Sequence, residues 1–261
     1  RYRRQRQPSR RWRVSGETED LGGIGCDDLD ALTRLCARLV CIDGDVPTDE
    51  GQCLSGEDID RGGASNTSTA TASAGNGGGS RAVFNSGAEL VATFPTTDFT
   101  LTRLEEPVPA AANAFYAGWS REAAVPTDTV ICIHHPQVEE KRISFSFQQS
   151  FRTFSRDGGS PVATGNHLEI PDWDIGTTEG GSSGSPLFDR FGRIRGQLFG
   201  GEAACDNSNY DVFGYFHSSW TGGGSLESRL SDWLDPCGNG PAFIDGLNAA
   251  DLSRILTAET P

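Results

Sequence analysis

The sequence predicts an all-β protein with a short helical tail, and three observations support this class. Glycine is frequent (33 of 261 residues), proline is moderate (13) and methionine is absent, which suits short strands joined by turns. From Arg81 onward, runs of apolar and β-branched residues alternate with turn residues, as strands do. Apolar residues at helical spacing occur only near the C-terminus. The sequence therefore favours antiparallel strands over a helical bundle.

Nine segments are predicted as strands, and two short helices are predicted after them. The segment ISFSF from Ile143 alternates strictly, as expected of a half-buried strand. The segment SLESRLSDWLD predicts a helix with Ser225 as its N-cap and Pro236 beyond its end, and LNAADLSRIL predicts a second helix. The predicted strands are AVFNSGAELVATF, FTLTRL, FYAGW, TVICIHH, ISFSFQQSFRTF, HLEI, SPLFD, IRGQLFGG and VFGYFHSSW.

Composition divides the chain and limits its partners. Residues 1–25 are arginine-rich at their start and are expected to be disordered, and the low-complexity run 61–80 is expected to be a surface loop. The net charge is −14, and without the seven arginines of the first thirteen residues the rest carries about −21. So acidic a body argues against nucleic acid as the main partner and suits cationic peptides. No apolar stretch is long enough to span a membrane, and no signal peptide is recognisable in this chain.

The seven cysteines indicate an oxidising compartment, and we therefore expect a secreted protein. No pair has the CxxC spacing of a zinc site, so neither a metal nor a cofactor is predicted. An odd count leaves at least one thiol unpaired. Cys132, in the apolar run TVICIHH, is predicted to be that buried thiol.

The segment GGSSGSP contains a serine between glycines, and the residues alone allow several interpretations. It is a Gly/Ser-rich hairpin tip, or the G-x-S-x-G elbow of an α/β-hydrolase with Ser182 as nucleophile and Asp211 and His217 as its partners. An elbow leads from a strand into a helix, whereas Pro186 and the residues after it predict another strand. The local pattern therefore disfavours the elbow.

From Thr96 to Leu247 the chain resembles the lysyl endopeptidase branch of the chymotrypsin-like serine proteases. The resemblance covers well over half of the chain. It implies a chymotrypsin-like double β-barrel, with a first barrel in 26–107 and a second barrel plus the C-terminal helices in 108–261. The segments that carry it occur in the family's order: TTDFTLTRL, FYAGW, IHHPQVEEKRIS, GSSGSPLFD, GQLFGG, SSWTGGG, SRLSDWLDP and FIDGL.

The resemblance places catalytic roles on four residues. Ser183 falls on the nucleophile, and the backbone N–H groups of Gly181 and Ser183 fall on the oxyanion hole, which needs two converging donors. Asp98 falls on the carboxylate that orients the catalytic histidine. Asp211 falls on the acid of the specificity pocket, which selects a lysine or arginine side chain. From the residues alone, Asp98 also fits a turn at the start of a strand, and Asp211 a solvated loop.

Further pocket residues follow from the same resemblance. Ser219 and Trp220 fall on a strand that lines the pocket, with Ser219 hydrogen-bonded to Asp98. Lysine-strict members have a histidine where this chain has Phe199, paired with a tryptophan whose counterpart here is Phe154. We therefore expect a looser preference for basic side chains.

The family's general base is missing from the matching region, because no histidine precedes Asp98. The resemblance pairs Cys36 and Cys41 with Cys205 and Cys53, whereas the disulfide that closes the histidine loop has no counterpart. The lost segment falls between about Asp45 and Cys53, through a deletion or an error in the gene model. The first barrel is therefore expected to be incomplete.

The four histidines of the chain differ in their fitness as a replacement base. His134, His135 and His167 match positions outside the family's active site. His217 lies two residues before Ser219 on the predicted strand and would share its face, so it is the candidate stand-in base.

These expectations leave three hypotheses of function. The chain is a secreted, monomeric serine endopeptidase by family, which cuts polypeptides after Lys or Arg through an acyl-enzyme at Ser183, with activity absent or strongly impaired. Alternatively, it is a pseudoprotease that binds basic peptides without cutting them. The third possibility is the product of a truncated gene model with no stable function.

Overall fold

The computed structural model describes residues 39–42, 87–112, 114–138, 141–154, 161–205, 207 and 209–248. These residues are mostly β-strand with a few short helices, which confirms the all-β prediction. The predictions for the arginine-rich start, the low-complexity run, and the disulfides of Cys36 and Cys53 lie outside the described residues.

Fourteen strands occur in the described part of the chain. Two of them have the predicted bounds, namely the strands formed by FTLTRL and HLEI, and the long prediction ISFSFQQSFRTF divides into two strands. The strands are β1 (Leu39–Ile42), β2 (Ala88–Phe94), β3 (Phe99–Leu104), β4 (Phe115–Tyr116), β5 (Gly118–Ser120), β6 (Val130–His134), β7 (Arg142–Ser146), β8 (Phe151–Thr153), β9 (His167–Ile170), β10 (Pro186–Asp189), β11 (Arg193–Gly201), β12 (Asp211–Tyr215), β13 (Phe243–Ile244) and β14 (Leu247–Asn248).

The strands form one small sheet, one large sheet and a two-stranded pair. The small sheet has the antiparallel order β1-β3-β2. The large sheet of nine strands has the order β7-β6-β10-β11-β12-β9-β8, with β5 joined to β11 and β13 joined to β5. In the part of the chain that the structure describes, neither sheet closes into a barrel.

Two apolar cores stabilise these sheets. The first lies inside the large sheet, where alternate residues of β9 and β12 point to one side and pack with Trp173 and Leu187. The second joins the small sheet to the C-terminal region. Phe99 and Leu101 of β3 pack there with Trp119 of β5, with Trp220 and with Leu230. Because Trp119 belongs to a strand of the large sheet, the second core links the two sheets.

The strand predicted to run from Val212 through Trp220 was wrong in its second half. Strand β12 ends at Tyr215, and a short helix, α1 (Phe216–Thr221), follows it. Phe216, Ser219 and Trp220 are the buried residues of α1. Their spacing of three and four residues places them on one helical face, and the two aromatic rings pack against Trp119.

The helix predicted from Ser225 is interrupted. A single 3-10 turn covers Leu226–Ser228, and helix α2 covers Ser231–Leu234. Between them, the backbone N–H of the buried Leu230 donates to the carbonyl of Ser219 (3.1 Å), a tertiary bond that replaces a helical one. The second predicted helix was wrong at its start, which is strand β14; its remainder lies beyond the described residues.

Candidate active site

Ser183 lies at the exposed tip of the turn that leads into β10. The turn is closed by the backbone N–H of Ser182, which donates to the carbonyl of Glu179 (3.0 Å). On either side of Ser183, Gly181 has φ 92° and Gly184 has φ 80°. Glycine adopts these left-handed conformations without the steric cost of a Cβ atom. The glycines of GGSSGSP thus allow the serine to project from a tight turn.

Two backbone donors stand unused at this turn. Among the described residues, neither the N–H of Gly181 nor the N–H of Ser183 makes a hydrogen bond, and both residues are exposed. Exposed N–H groups on either side of a nucleophile are the kind of donors that stabilise an oxyanion.

The geometry also excludes the hydrolase elbow. Ser182 is fully buried, so a substrate cannot reach its hydroxyl group. The turn continues into strand β10 rather than into a helix. Ser183 is the exposed serine of this turn, and it lies next to the N–H groups that make no hydrogen bond.

Asp98 occupies a tight turn between β2 and β3. The N–H of Asp98 donates to the carbonyl of Pro95 (3.3 Å), and its φ of 56° lies in the left-handed region, which aspartate and asparagine tolerate better than most residues. The side-chain amide of Gln197 on β11 donates to the carbonyls of Thr97 (2.6 Å) and Asp98 (3.1 Å). Gln197 therefore fixes the aspartate turn to the large sheet.

Two more side chains of the large-sheet region hold the same turn. The hydroxyl groups of Ser219 and Thr97 hydrogen-bond to each other (2.9 Å), and the Asn166 amide donates to the carbonyl of Thr96 (3.3 Å). The bond that we expected from Ser219 to Asp98 is thus made to the residue before it. The one hydroxyl proton of Ser219 is donated to the carbonyl of Tyr215 (3.1 Å), which can only accept, so Ser219 holds the turn by accepting from the hydroxyl of Thr97.

Strand β11 brings the two turns to the same place. Gln197 holds the aspartate turn, and the next residue, Leu198, accepts a hydrogen bond from the N–H of Gly184 (2.9 Å) in the serine turn. Consecutive residues of one strand therefore anchor the turns that carry Asp98 and Ser183.

Gly214 of β12 provides the space in which the aspartate turn sits. A Cβ atom at this position would lie 1.8 Å from the carbonyl oxygen of Thr97 and 2.0 Å from Nε2 of Gln197. We expect Gly214→Ala to lower the free energy of unfolding by about 3 kcal/mol or more, because rigid backbone must move. Urea denaturation measures this loss. Gly180→Ala is the matched control, since its Cβ would meet its nearest neighbour at 3.7 Å, and a loss as large in this control would contradict the steric explanation.

Asp211 begins β12 and is almost completely buried (2% exposed). Its Oδ2 atom accepts hydrogen bonds from the indole N–H of Trp173 (2.8 Å) and from the hydroxyl of Thr178. Its Oδ1 atom accepts none among the described residues. That oxygen lies 2.3 Å from the position that a Cβ of Gly201 would occupy, so it fits there because residue 201 has no side chain. One oxygen of the carboxylate is therefore held by two donors, and the other has no hydrogen-bond donor among the described residues.

Burial raises the pKa of Asp211 from its usual value to about 6, although the hydrogen bonds from Thr178 and Trp173 lower it. Loss of hydration disfavours the charged form, and no described cation pairs with this carboxylate to compensate. A bound ammonium or guanidinium group would supply that compensation.

No histidine hydrogen-bonds to Ser183 in the described residues, which include all four histidines of the chain. His134 bonds to Ser182 and Ser144 rather than to Ser183. Nδ1 of His167 bonds to the side chain of Asn166 (2.8 Å). The sequence had indicated non-catalytic positions for both.

His217, the candidate stand-in base, does not lie on a strand. It belongs to α1, and its Nδ1 atom hydrogen-bonds to the carbonyl of Arg121 (2.8 Å). Since a carbonyl only accepts, Nδ1 carries a proton there. The predicted face shared with Ser219 was wrong, because residues two apart diverge on a helix.

The residues predicted to line the specificity pocket do not lie together: Trp220 lies in the apolar core, and Phe199 lies beside His167. Trp220 packs in the core beside Trp119, with ring centroids 4.7 Å apart, and follows the end of β12 opposite to Asp211. The strand expected to place Trp220 in the pocket is thus absent. Phe199 stacks on His167 (4.9 Å), whereas Phe154 is 55% exposed.

The cysteines give one confirmed prediction and one correction. Cys132 is a fully buried thiol, and burial together with the nearby Asp211 raises its pKa well above the usual value. Cys205 carries a thiol instead of the predicted disulfide. Its N–H donates to the Glu179 carboxylate (2.9 Å), and its thiol also donates there, which lowers the pKa of Glu179. Cys205 thus holds the side chain of Glu179, whose backbone carbonyl closes the serine turn.

The described residues show neither a metal-binding cluster nor a helix suited to a membrane. The described residues contain no cluster of three or more histidine, cysteine or acidic side chains that would hold a metal ion. None of their helices has the length and apolar character needed to cross a membrane.

Four residues important to this arrangement were missed in the sequence. Gln197 and Asn166 fix the aspartate turn, and Trp173 and Thr178 hold Asp211. Gln197 offered a signal, because it is the one side-chain amide in the predicted strand IRGQLFGG. The other three lie in loops or at strand ends, where polar residues and single aromatic residues are ordinary.

An exposed serine on a glycine turn, anchored beside an aspartate turn in an all-β fold, is the kind of arrangement that serine proteases use. Comparison with known proteins agrees with this class. The family model described as lysyl endopeptidase, C-terminal domain, matches residues 62–216. The chain belongs to this lysyl endopeptidase family.

Individual relatives match only part of the chain. A lysyl endopeptidase of Pseudomonas aeruginosa is 30% identical over 158 residues, which are 59% of this chain and 31% of that protein. The active form of the Rv3671c protease of M. tuberculosis is 22% identical, with a TM-score of 0.36 over 49% of this chain and 53% of its own. The HtrA-type protease AlgW with a decapeptide is 17% identical, with a TM-score of 0.37 over 49% and 36%.

Proposed function

We propose that this chain is a secreted, monomeric serine-protease-family domain that binds the basic side chains of polypeptides through Asp211 and cleaves them very slowly or not at all. Ser183 takes the position of the nucleophile, Gly181 and Ser183 that of the oxyanion hole, and Asp98 that of the orienting carboxylate. Its partners are Lys- or Arg-containing polypeptides, with no role for nucleic acid, membrane, metal or cofactor.

The observation that carries the binding proposal is the state of the Asp211 carboxylate. A buried carboxylate with one saturated oxygen and one open oxygen, in the space left by a glycine, is suited to a single cation. A neutral ligand would leave that oxygen unpaired, which favours lysine or arginine over other side chains. Phe199, where lysine-strict relatives have histidine, favours a preference that includes arginine.

The proposal of weak cleavage depends on the missing base. A serine hydroxyl becomes an effective nucleophile when a neighbouring group takes its proton. Three of the four imidazoles hydrogen-bond elsewhere: His134 to Ser182, His167 to Asn166 and His217 to the carbonyl of Arg121. Because no imidazole hydrogen-bonds to Ser183, only the oxyanion hole remains to assist acyl transfer.

Two probes separate this function from the alternatives. Benzamidine, a small guanidinium-like cation, tests the Asp211 site, and a fluorophosphonate tests the reactivity of Ser183. We expect benzamidine binding with very slow labelling. Fast stoichiometric labelling of Ser183 indicates an active endopeptidase, and an unfolded protein that binds neither probe indicates a truncated product.

Benzamidine binding should depend on pH through Asp211. Benzamidine stays cationic, whereas the carboxyl group, with a pKa of about 6, loses its charge as the pH falls. We expect constant affinity above pH 7 and a decline below pH 6 that approaches tenfold per pH unit. Calorimetric titration between pH 8 and pH 5 measures this, and an affinity that stays constant over that range would exclude Asp211 as the binding group.

A further inference from the structure

His134 is the buried histidine of the serine turn, and its hydrogen bonds form a chain with a fixed direction. The hydroxyl of Ser144 donates to the carbonyl of Thr177 (2.9 Å), which can only accept. The single proton of Ser144 is thereby used. Its oxygen must then accept from Nε2 of His134 (3.1 Å), so Nε2 carries the ring proton.

The other ring nitrogen determines the orientation of Ser182. In a neutral ring protonated at Nε2, Nδ1 is an acceptor, so the hydroxyl of Ser182 donates to it (2.9 Å). The oxygen of Ser182 is then available to accept the backbone N–H of Glu179 (3.3 Å). The chain begins at Thr177 and returns to Glu179, two residues further along the same segment. All three of its side chains, those of Ser144, His134 and Ser182, are fully buried.

We propose that His134, neutral and protonated at Nε2, is a positioning residue that sets the conformation of the turn presenting Gly181 and Ser183. The assignment of an oxyanion hole to that turn rests on the proposed function, whereas the hydrogen-bond chain does not. His134 thus supports the backbone donors of the serine turn through Ser182.

The surroundings of His134 keep it neutral. Burial, together with electrostatic repulsion from His135 and Arg142, lowers its pKa to about 4, against the opposing effect of Glu179. Protonation at lower pH would turn Nδ1 into a donor that faces Ser182. The hydroxyl of Ser182 would then have to rotate away, and the direction of the chain would be lost.

The first experiment measures the tautomer in the unmodified protein. With ¹⁵N-labelled histidine, long-range ¹H–¹⁵N spectra distinguish the two neutral tautomers from imidazolium, and four histidines give few signals. The loss of one signal pair in His134→Asn assigns the residue. We expect the Nε2–H form at pH 7 and imidazolium only near pH 4. An Nδ1–H tautomer or imidazolium at pH 7 would overturn the proposal.

The second experiment measures hydrogen exchange of the bonded amides of Ser182 and Gly184, on either side of Ser183. Removing a buried hydrogen bond in Ser182→Ala should raise their exchange about tenfold. Ser183→Ala is the matched control and should leave the exchange of both amides unchanged. The amides of strand β6 should exchange at the same rate in both variants as in the unmodified protein. Unaltered exchange at Gly184 in Ser182→Ala would overturn the positioning role.

Two substitutions of His134 separate positioning from simple loss of packing. Asparagine places an acceptor oxygen near the position of Nδ1 and should preserve slow exchange at Gly184, whereas leucine should not. Equal exchange in the two variants would contradict the proposal. None of these measurements uses benzamidine or a fluorophosphonate, so failure of the positioning role and failure of the proposed function are distinguished.

Discussion

Asp211→Asn is expected to lower the affinity for benzamidine by about 100-fold or more, because it removes the one buried charge that faces the ligand. Asparagine fits the site closely. Its carbonyl oxygen can accept from Trp173 and Thr178, which places its NH2 group where Oδ1 of Asp211 lies, next to Gly201. A donor would then face the cation where an acceptor stood. Calorimetric titration at pH 8 measures the difference.

The control for Asp211→Asn is Asp128→Asn, which removes the same charge from an exposed ion pair with Arg190. It should change the affinity by less than about twofold, because exposed charges interact weakly through water. An equal loss in both variants would indicate nonspecific attraction to the acidic surface. An unchanged affinity in Asp211→Asn would show that Asp211 is a structural acid.

Ser183 is expected to react with a fluorophosphonate about 10⁴-fold or more slowly than the serine of a trypsin-like protease with a complete triad. The turn and its N–H groups are in place, but no imidazole is hydrogen-bonded to the hydroxyl. Mass spectrometry of the labelled peptide measures the rate and the site. Ser183→Ala shows how much of any labelling occurs elsewhere.

Asp98→Asn tests the same explanation from the other side. Asparagine tolerates the φ of 56° at this position and removes only the charge. In a complete triad the loss of this carboxylate is costly because it acts through the histidine. Here we expect the slow labelling to change by less than about twofold. A large decrease would reveal an imidazole between the two residues.

Local sequence patterns predicted two of the strands with their observed first and last residues. FTLTRL and HLEI have the predicted bounds. The prediction failed at VFGYFHSSW, because aromatic residues favour strands locally while Phe216, Ser219 and Trp220 also fit one face of a helix. Packing against Trp119, about a hundred residues earlier, decides between the two.

Only part of the candidate site could be predicted, because contacts between residues far apart in sequence also decide its arrangement. The glycines around Ser183 and the acids at positions 98 and 211 are visible as motifs. The bonds that arrange them join residues far apart in sequence, such as Gln197 to Thr97 and His134 to Ser182. A single sequence does not reveal which polar side chains meet across such distances, and a buried histidine cannot be told from a catalytic one without its partners.

The sharpest test of binding without cleavage is incubation with a peptide that contains a single lysine, with binding and cleavage followed in the same sample by calorimetry and mass spectrometry. We expect that the peptide binds, that benzamidine displaces it, and that it is recovered intact. Cleavage after the lysine that is lost in Ser183→Ala would show that Ser183 has a working base and would exclude the proposed binding role without cleavage.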